Sequence, residues 1–211
     1  MPTLWTFGDS FTAKYNSEYE WAEQYIKWKG YIPKVYGEIV SDRLGLNLIN
    51  LGKPGSDNNQ IIETIIDNID SIKKDDVIII GWSNTSRFRL TTKDNNWEYF
   101  YDDTKPNLKD MEHISQQTIS EILINRLSKN YELELEKWIK LLNKTFINNK
   151  IVNWSYFSDK IGAYYFRHFH TIKDETNGVL KDNHFSERGH LELSKTLIEI
   201  INKGYYKKKM I

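Results

Sequence analysis

The chain has 211 residues, with 29 basic side chains against 29 acidic ones, a formal net charge of zero and a sequence pI of about 7.0. That length suits one domain with a full core, and so even a charge balance argues against nucleic-acid or membrane-surface binding, where phosphate calls for a basic excess. A hydrophobic content of 39% and a mean hydropathy of -0.62 exclude a membrane protein, an aromatic content of 14% excludes disorder, and the absence of cysteine removes disulfides and thiolate metal sites.

Met1, Pro2 and Thr3 run directly into an apolar segment at 4–7, the first expected strand. They carry neither the basic region nor the apolar stretch of a signal peptide, so a cytoplasmic location is expected. A secreted or phage component is the alternative if a leader has been removed. Seven aromatics then crowd 15–36: Tyr15, Tyr19, Trp21, Tyr25, Trp28, Tyr31 and Tyr36. Such a cluster suits a platform for sugar rings or a wall for an acyl chain. Residues 31–44 place Val35, Ile39, Val40 and Leu44 on one helical face, with Gly45 as the stop.

A second strand is expected at 46–50, followed by a helix through Ile72 that Ser56 or Asp57 would cap and that carries a stripe of five isoleucines, Ile61 to Ile69. The run Val77-Ile78-Ile79-Ile80 is β-branched throughout and reads as a buried strand. An amphipathic helix at 133–147, a strand at 151–154 and a last helix at about 186–202 complete an alternation of strands and helices. Residues 85–117 and 164–181 break this rhythm and read as loop insertions in a single domain spanning 1–211. Each follows an expected strand and so falls at the carboxyl edge of the sheet, where open α/β folds bind ligands. The basic run Lys207-Lys208-Lys209 reads as a solvated tail.

Four short segments carry groups suited to chemistry. Gly8-Asp9-Ser10 follows the first strand, and a serine on a tight turn at a strand's end can hold its hydroxyl exposed as a nucleophile. Gly55 follows the second strand and Asn84 the third; a backbone N–H and a side-chain amide aimed at one point make an oxyanion hole. Asp182 and His184 precede the last helix, where a histidine beside an acid suits a general base of fixed tautomer.

Taken in this order, Ser10, Gly55, Asn84 and His184 resemble the four blocks of the SGNH (GDSL-type) hydrolase superfamily, over residues 8 to 190. The resemblance implies a flavodoxin-like three-layer α/β/α sandwich with a mainly parallel five-stranded sheet. It implies Ser10 as nucleophile, His184 as base and Asp182 as its orienting acid, with the oxyanion held by Gly55, Asn84 and the Ser10 N–H. Two departures stand out. Asn84 is followed by Thr85 where the family has Asp, and Asp182 lies two residues before His184 where the family has three.

The activity implied is a serine esterase acting on a small acyl ester, such as an O-acetyl group on a carbohydrate. Acyl transfer on the same site, or a non-catalytic carbohydrate-binding or phage-particle component, are the alternatives. Trp82, Asp9 and Arg87 are expected to contact the substrate, with Arg89 and the Trp97-Glu98-Tyr99-Phe100-Tyr101 run as further candidates. His168 and His170 alternate on one face, near His113 or Asp174 as partners, but no third ligand stands at recognisable spacing and no metal is expected. His190 reads as structural. No Gly-rich phosphate cradle occurs, so no cofactor is expected.

Overall fold

The computed structural model describes residues 1–85, 87–91, 97–100 and 129–203. Most of the expected insertion at 85–117, including His113, and the tail Lys207 to Lys209 lie outside the described residues, as does Tyr101. Five strands form the main sheet: β1 (Thr3–Gly8), β2 (Asn47–Gly52), β3 (Val77–Trp82), β6 (Lys150–Ser155) and β7 (Tyr164–Tyr165), in the order β2-β1-β3-β6-β7. Every neighbouring pair in it is parallel. Two short antiparallel strands, β4 (Phe88–Thr91) and β5 (Trp97–Phe100), pair separately.

Alternation along the strands sets the layers. Trp5, Phe7, Ile78, Ile80, Trp82 and Ile151 face one side. There they meet α3 (Asn58–Asn68) and α4 (Lys129–Thr145) through Ile61, Ile65, Leu135 and Ile139. Leu4, Val77, Ile79, Val152 and Trp154 face the other side, against α2 (Tyr36–Leu44) and α6 (Glu187–Lys203) through Val40, Leu193 and Leu197. Strands covered on both faces read as continuous apolar runs, which is why 77–80 was so legible. The result is the expected α/β/α sandwich, with its sheet parallel throughout.

Local signals explain most element ends. Asp57 caps α3 by accepting the Gln60 N–H at 2.7 Å, and α2 stops at Gly45 in the left-handed conformation (φ 63). α2 starts later than its apolar spacing suggests. Pro33 precedes the helix, the N-cap Val35 is extended, and Glu38 returns its carboxylate to the Val35 N–H at 3.1 Å to open the helix at Tyr36.

Five elements have no counterpart among the expected ones: the β4–β5 pair, which lies in the expected insertion at 85–117, and the three that follow. α1 (Glu20–Lys29) lies in the aromatic-rich segment and packs Ala22 and Tyr25 against Ile172 of α5 (Ile172–Glu175). The fifth strand, β7, lies inside the expected insertion at 164–181, as does α5.

Strand order reverses between β1 and β3: the chain leaves β1 toward β2 on one side and later adds β3 and β6 on the other. A crevice forms at such a switch point, outside the carboxyl ends of the strands. Ser10 follows β1 and Asn84 follows β3, so the topology delivers both to that crevice.

Candidate active site

The loop after β1 is a tight turn built by Asp9. Its carbonyl accepts the Thr12 and Ala13 N–H groups, each at 3.0 Å, and its Oδ1 accepts the Phe11 N–H at 3.0 Å. The turn sits directly on the strand tips. A Cβ on Gly52 would lie 2.6 Å from the Ala13 nitrogen, and one on Gly81 2.8 Å from Thr12 Oγ1, so only glycine admits the loop at this height. Thr12 is then held from two sides, by Tyr36 Oη–H to its Oγ1 (3.1 Å) and Asn50 Nδ2–H to its carbonyl (2.9 Å).

Ser10, projected from this turn, brings Oγ to 2.8 Å from His184 Nε2. On the far side of the imidazole, Nδ1 lies 2.7 Å from Asp182 Oδ1, and the same oxygen accepts the His184 backbone N–H at 2.7 Å. The short Asp182–His184 spacing therefore makes an Asx turn in which one carboxylate oxygen serves both nitrogens. Burial alone would raise the Asp182 carboxyl, but the hydrogen bonds and charge of His184 outweigh it and hold the group below the usual carboxylate range.

Backbone bonds fix this loop. The Ile172 N–H donates to the His184 carbonyl and the Lys173 N–H to the Asp182 carbonyl, both at 2.8 Å, while Tyr15 Oη–H donates to the Phe185 carbonyl. The aromatic face of His184 is covered as well. The Trp21 ring stacks on it at 4.2 Å and 18°, and Phe11 approaches at 5.0 Å.

Gly55 (φ 83) lies within the loop after β2, and Asn84 is half-buried after β3 with its carbonyl accepting the Arg87 N–H at 3.2 Å. The adjacent Ser83 is clamped from both sides by Asn58, the first residue of α3: its N–H donates to Asn58 Oδ1 (2.8 Å), and its carbonyl accepts from Nδ2 (3.1 Å). Asn58 is fully buried, and nothing in its local sequence distinguished it from an ordinary helix-start residue.

The three residues expected to touch substrate lie elsewhere in the network. Trp82 is 2% exposed and donates its indole N–H to Asn153 Oδ1 at 3.0 Å. The alternation of β3 puts it on the same face as Ile78 and Ile80, so it is a core residue rather than a substrate contact. Asp9 is likewise buried, one oxygen spent on the turn and the other 3.5 Å from Arg87 Nη1. Arg87 also donates to the Ser56 carbonyl at 3.1 Å, and so ties the loops after β1 and β2 together instead of presenting a free cation.

His170 faces Glu192 at 3.0 Å, and among the described residues no three His, Asp or Glu side chains gather as a metal site. His190 is buried inside α6, where its Nδ1 accepts the Tyr36 N–H at 3.3 Å. Among the described residues no helix is long and apolar enough to cross a membrane.

A search of curated proteins finds no match. Among solved structures, a carbohydrate esterase aligns with 99% of this chain and 69% of its own at a TM-score of 0.51 and 13% identity, a likeness of fold. A variant of the acetyl-xylooligosaccharide esterase Axe2 from Geobacillus stearothermophilus aligns over 95% of both chains at 0.46 and 14% identity. A lipolytic protein of the G-D-S-L family from Desulfitobacterium hafniense DCB-2 aligns over 95% of this chain and 99% of its own at 0.42 and 13% identity. The family model described as GDSL-like Lipase/Acylhydrolase matches residues 4–197, nearly the whole chain, and the protein belongs to that family of ester hydrolases.

Proposed function

We propose that the protein hydrolyses a small acyl ester, an O-acetyl group on a carbohydrate being the substrate class favoured, with Ser10, His184 and Asp182 as its catalytic residues. The observation that carries this reading is the continuous chain Ser10 Oγ, His184 Nε2, His184 Nδ1, Asp182 Oδ1, with links of 2.8 and 2.7 Å.

In the acylation step Ser10 Oγ bonds to the ester carbonyl carbon as its proton passes to His184 Nε2, and the carbonyl oxygen becomes an oxyanion. The Ser10 and Gly55 backbone N–H groups and the Asn84 side-chain amide are the donors proposed to hold it, the type of preorganised stabilisation that contributes most to acyl transfer. The imidazolium, whose positive charge the Asp182 carboxylate balances, then gives its proton to the leaving alcohol. Water repeats the sequence on the acyl-serine and releases the acid.

Support for a carbohydrate alcohol comes from half-buried rings near the base: Tyr19 lies beside Trp21, and Tyr156 and Phe157 flank Phe11. Flat aromatic faces suit the apolar faces of sugar rings. The test is incubation with a serine-directed organophosphonate and peptide mapping, followed by assay on O-acetylated oligosaccharides with and without an added sugar acceptor. One adduct on Ser10 and acetate release that Ser10→Ala abolishes support the reading. A full rate in Ser10→Ala overturns it, and acetyl appearing on the acceptor in place of free acetate changes it to transfer.

A further inference from the structure

The imidazole of His184 has three directions of approach, and the reading of Ser10 and His184 given above uses only two, the ring edges at Nε2 and Nδ1. The third, the ring face, is occupied by the indole of Trp21 in a near-parallel stack. We propose that Trp21 is a positioning residue for the base: its indole face holds the His184 ring in line with Ser10 and favours the imidazolium formed when the serine proton arrives. This inference rests on that reading of Ser10 and His184.

Two observations make the stack more than a chance packing. The first is chemical. An aromatic face attracts a cation within about 6 Å of the ring centroid, and Trp does so best; the imidazole centroid stands at 4.2 Å. A neutral imidazole gains less than a protonated one, so the contact strengthens as charge develops, which is the condition for lowering a barrier rather than merely binding.

The second is architectural. Trp21 lies at the start of α1, and α1 is locked to the segments on either side of His184. Lys29 pairs with Glu175 of α5 (3.0 Å) and Glu187 of α6 (2.6 Å). Tyr25 donates its hydroxyl to Glu175 at 2.9 Å and accepts the Glu187 N–H at 2.9 Å. The helix that carries the indole is thus bonded to the chain on both sides of the loop that carries the imidazole. Tyr15 braces the indole from behind at 5.4 Å.

The titratable groups on the surrounding elements do not compete for the role. Asp182 sits at the ring edge. His190 of α6 is kept neutral by its burial. Glu175 and Glu187 are answered by Lys29, and Asp9 on the nucleophile turn faces Arg87.

The test is steady-state kinetics on an aryl acetate from pH 4 to pH 9 with Trp21→Leu and Trp21→Phe. Trp21→Leu is expected to lower kcat about 5- to 20-fold with KM nearly unchanged. Trp21→Phe, which keeps a ring face, recovers most of the rate.

If Trp21→Leu does not fold, Trp21→Phe carries the test: its kcat should lie below the wild type's with KM unchanged, since a phenyl face holds a cation less well than an indole. An unchanged kcat, or a rise in KM alone, overturns the proposal and makes Trp21 packing or a substrate wall. Phosphonate labelling of Ser10 in each variant separates this failure from that of the serine reading. Labelled protein with wild-type kcat sinks the role of Trp21 alone, whereas a fully active Ser10→Ala sinks both.

Discussion

Asp182 Oδ1 lies 2.7 Å from both the backbone nitrogen and Nδ1 of His184, so a single oxygen sets the backbone turn and the imidazole tautomer together. Nδ1 must donate to it, which leaves the Nε2 lone pair toward Ser10. Asp182→Asn can still accept the backbone N–H, but its amide no longer balances an imidazolium. We expect kcat to fall by about 10²–10⁴-fold, with Asp182→Ala losing the turn as well. Rates on an aryl acetate, measured beside thermal midpoints, check this; a kcat within threefold of wild type for Asp182→Asn would remove Asp182 from the catalytic set.

How much of this was legible in the sequence depends on the range of the signal. The strands announced themselves because burial on both faces demands continuous apolar residues, as at Val77 to Ile80, and the Asp57 cap is a local signal read three residues ahead. The order of Ser10, Gly55, Asn84 and His184 pointed to the right family without any geometry. What stayed hidden was set by contacts distant in sequence. α1 lies within a run of aromatics that reads as a cluster, although Trp21, Tyr25 and Trp28 have helical spacing. The two residues of β7 are too few to show a period and owe their place to β6. Trp82 was misplaced for want of one more step along β3, since its parity with Ile78 and Ile80 sends it into the core.

Asn58 offers a prediction on a residue that touches no substrate. Its amide clamps Ser83 by both backbone groups, one residue before the proposed oxyanion donor Asn84. Asn58→Ala leaves a buried N–H and C=O without partners at that point, a loss of about 1–3 kcal/mol. The loop freed by the change should cost about tenfold or more in kcat, since oxyanion donors act only when fixed. Asn58→Asp keeps the acceptor for the Ser83 N–H but sets a carboxylate oxygen against the Ser83 carbonyl, and should not restore the rate. Urea midpoints and kcat together measure it, and a stable variant with wild-type kcat would show that the clamp does not serve the oxyanion site.

His190 supplies a pH dependence of stability whose sign follows from burial. Desolvation first, and the charge of nearby His184 second, push its pKa down from 6.5 to about 3. Above pH 6.5 it is neutral in both folded and unfolded chains and contributes no slope. Below that, the unfolded chain takes up a proton that the folded one refuses, so stability falls as pH drops from 6.5 toward about 3, at up to about 1.4 kcal/mol per pH unit. The carboxylates remain ionised between pH 6.5 and about 5, so the histidine effect is best read there. His190→Gln can still accept the Tyr36 N–H and has no proton to gain. Its urea midpoint should be flatter over that window than the wild type's, and equal slopes would mean that His190 takes up its proton while folded.

Gly52 and Gly45 make a matched pair in which geometry separates rate from stability. A Cβ on Gly52 would stand 2.6 Å from the Ala13 nitrogen and 2.7 Å from the Thr12 carbonyl carbon. Those are backbone atoms of the turn that presents Ser10, so no side-chain rotation relieves the clash and the turn itself must lift. Overpacking of this kind costs about 1–3 kcal/mol. Displacing a nucleophile by even about 1 Å costs on the order of 10²-fold in rate, so Gly52→Ala should lose far more activity than its thermal midpoint suggests. Gly45 has φ 63 and open space where a Cβ would go. Gly45→Ala therefore carries only left-handed backbone strain of about 1–2 kcal/mol, at the helix end remote from the turn, and should leave kcat at the wild-type value. Phosphonate labelling rates of Ser10 and thermal midpoints of both variants make the comparison. If the two lose activity in proportion to their stability, the glycine at the tip of β2 is not what seats the turn of the proposed nucleophile.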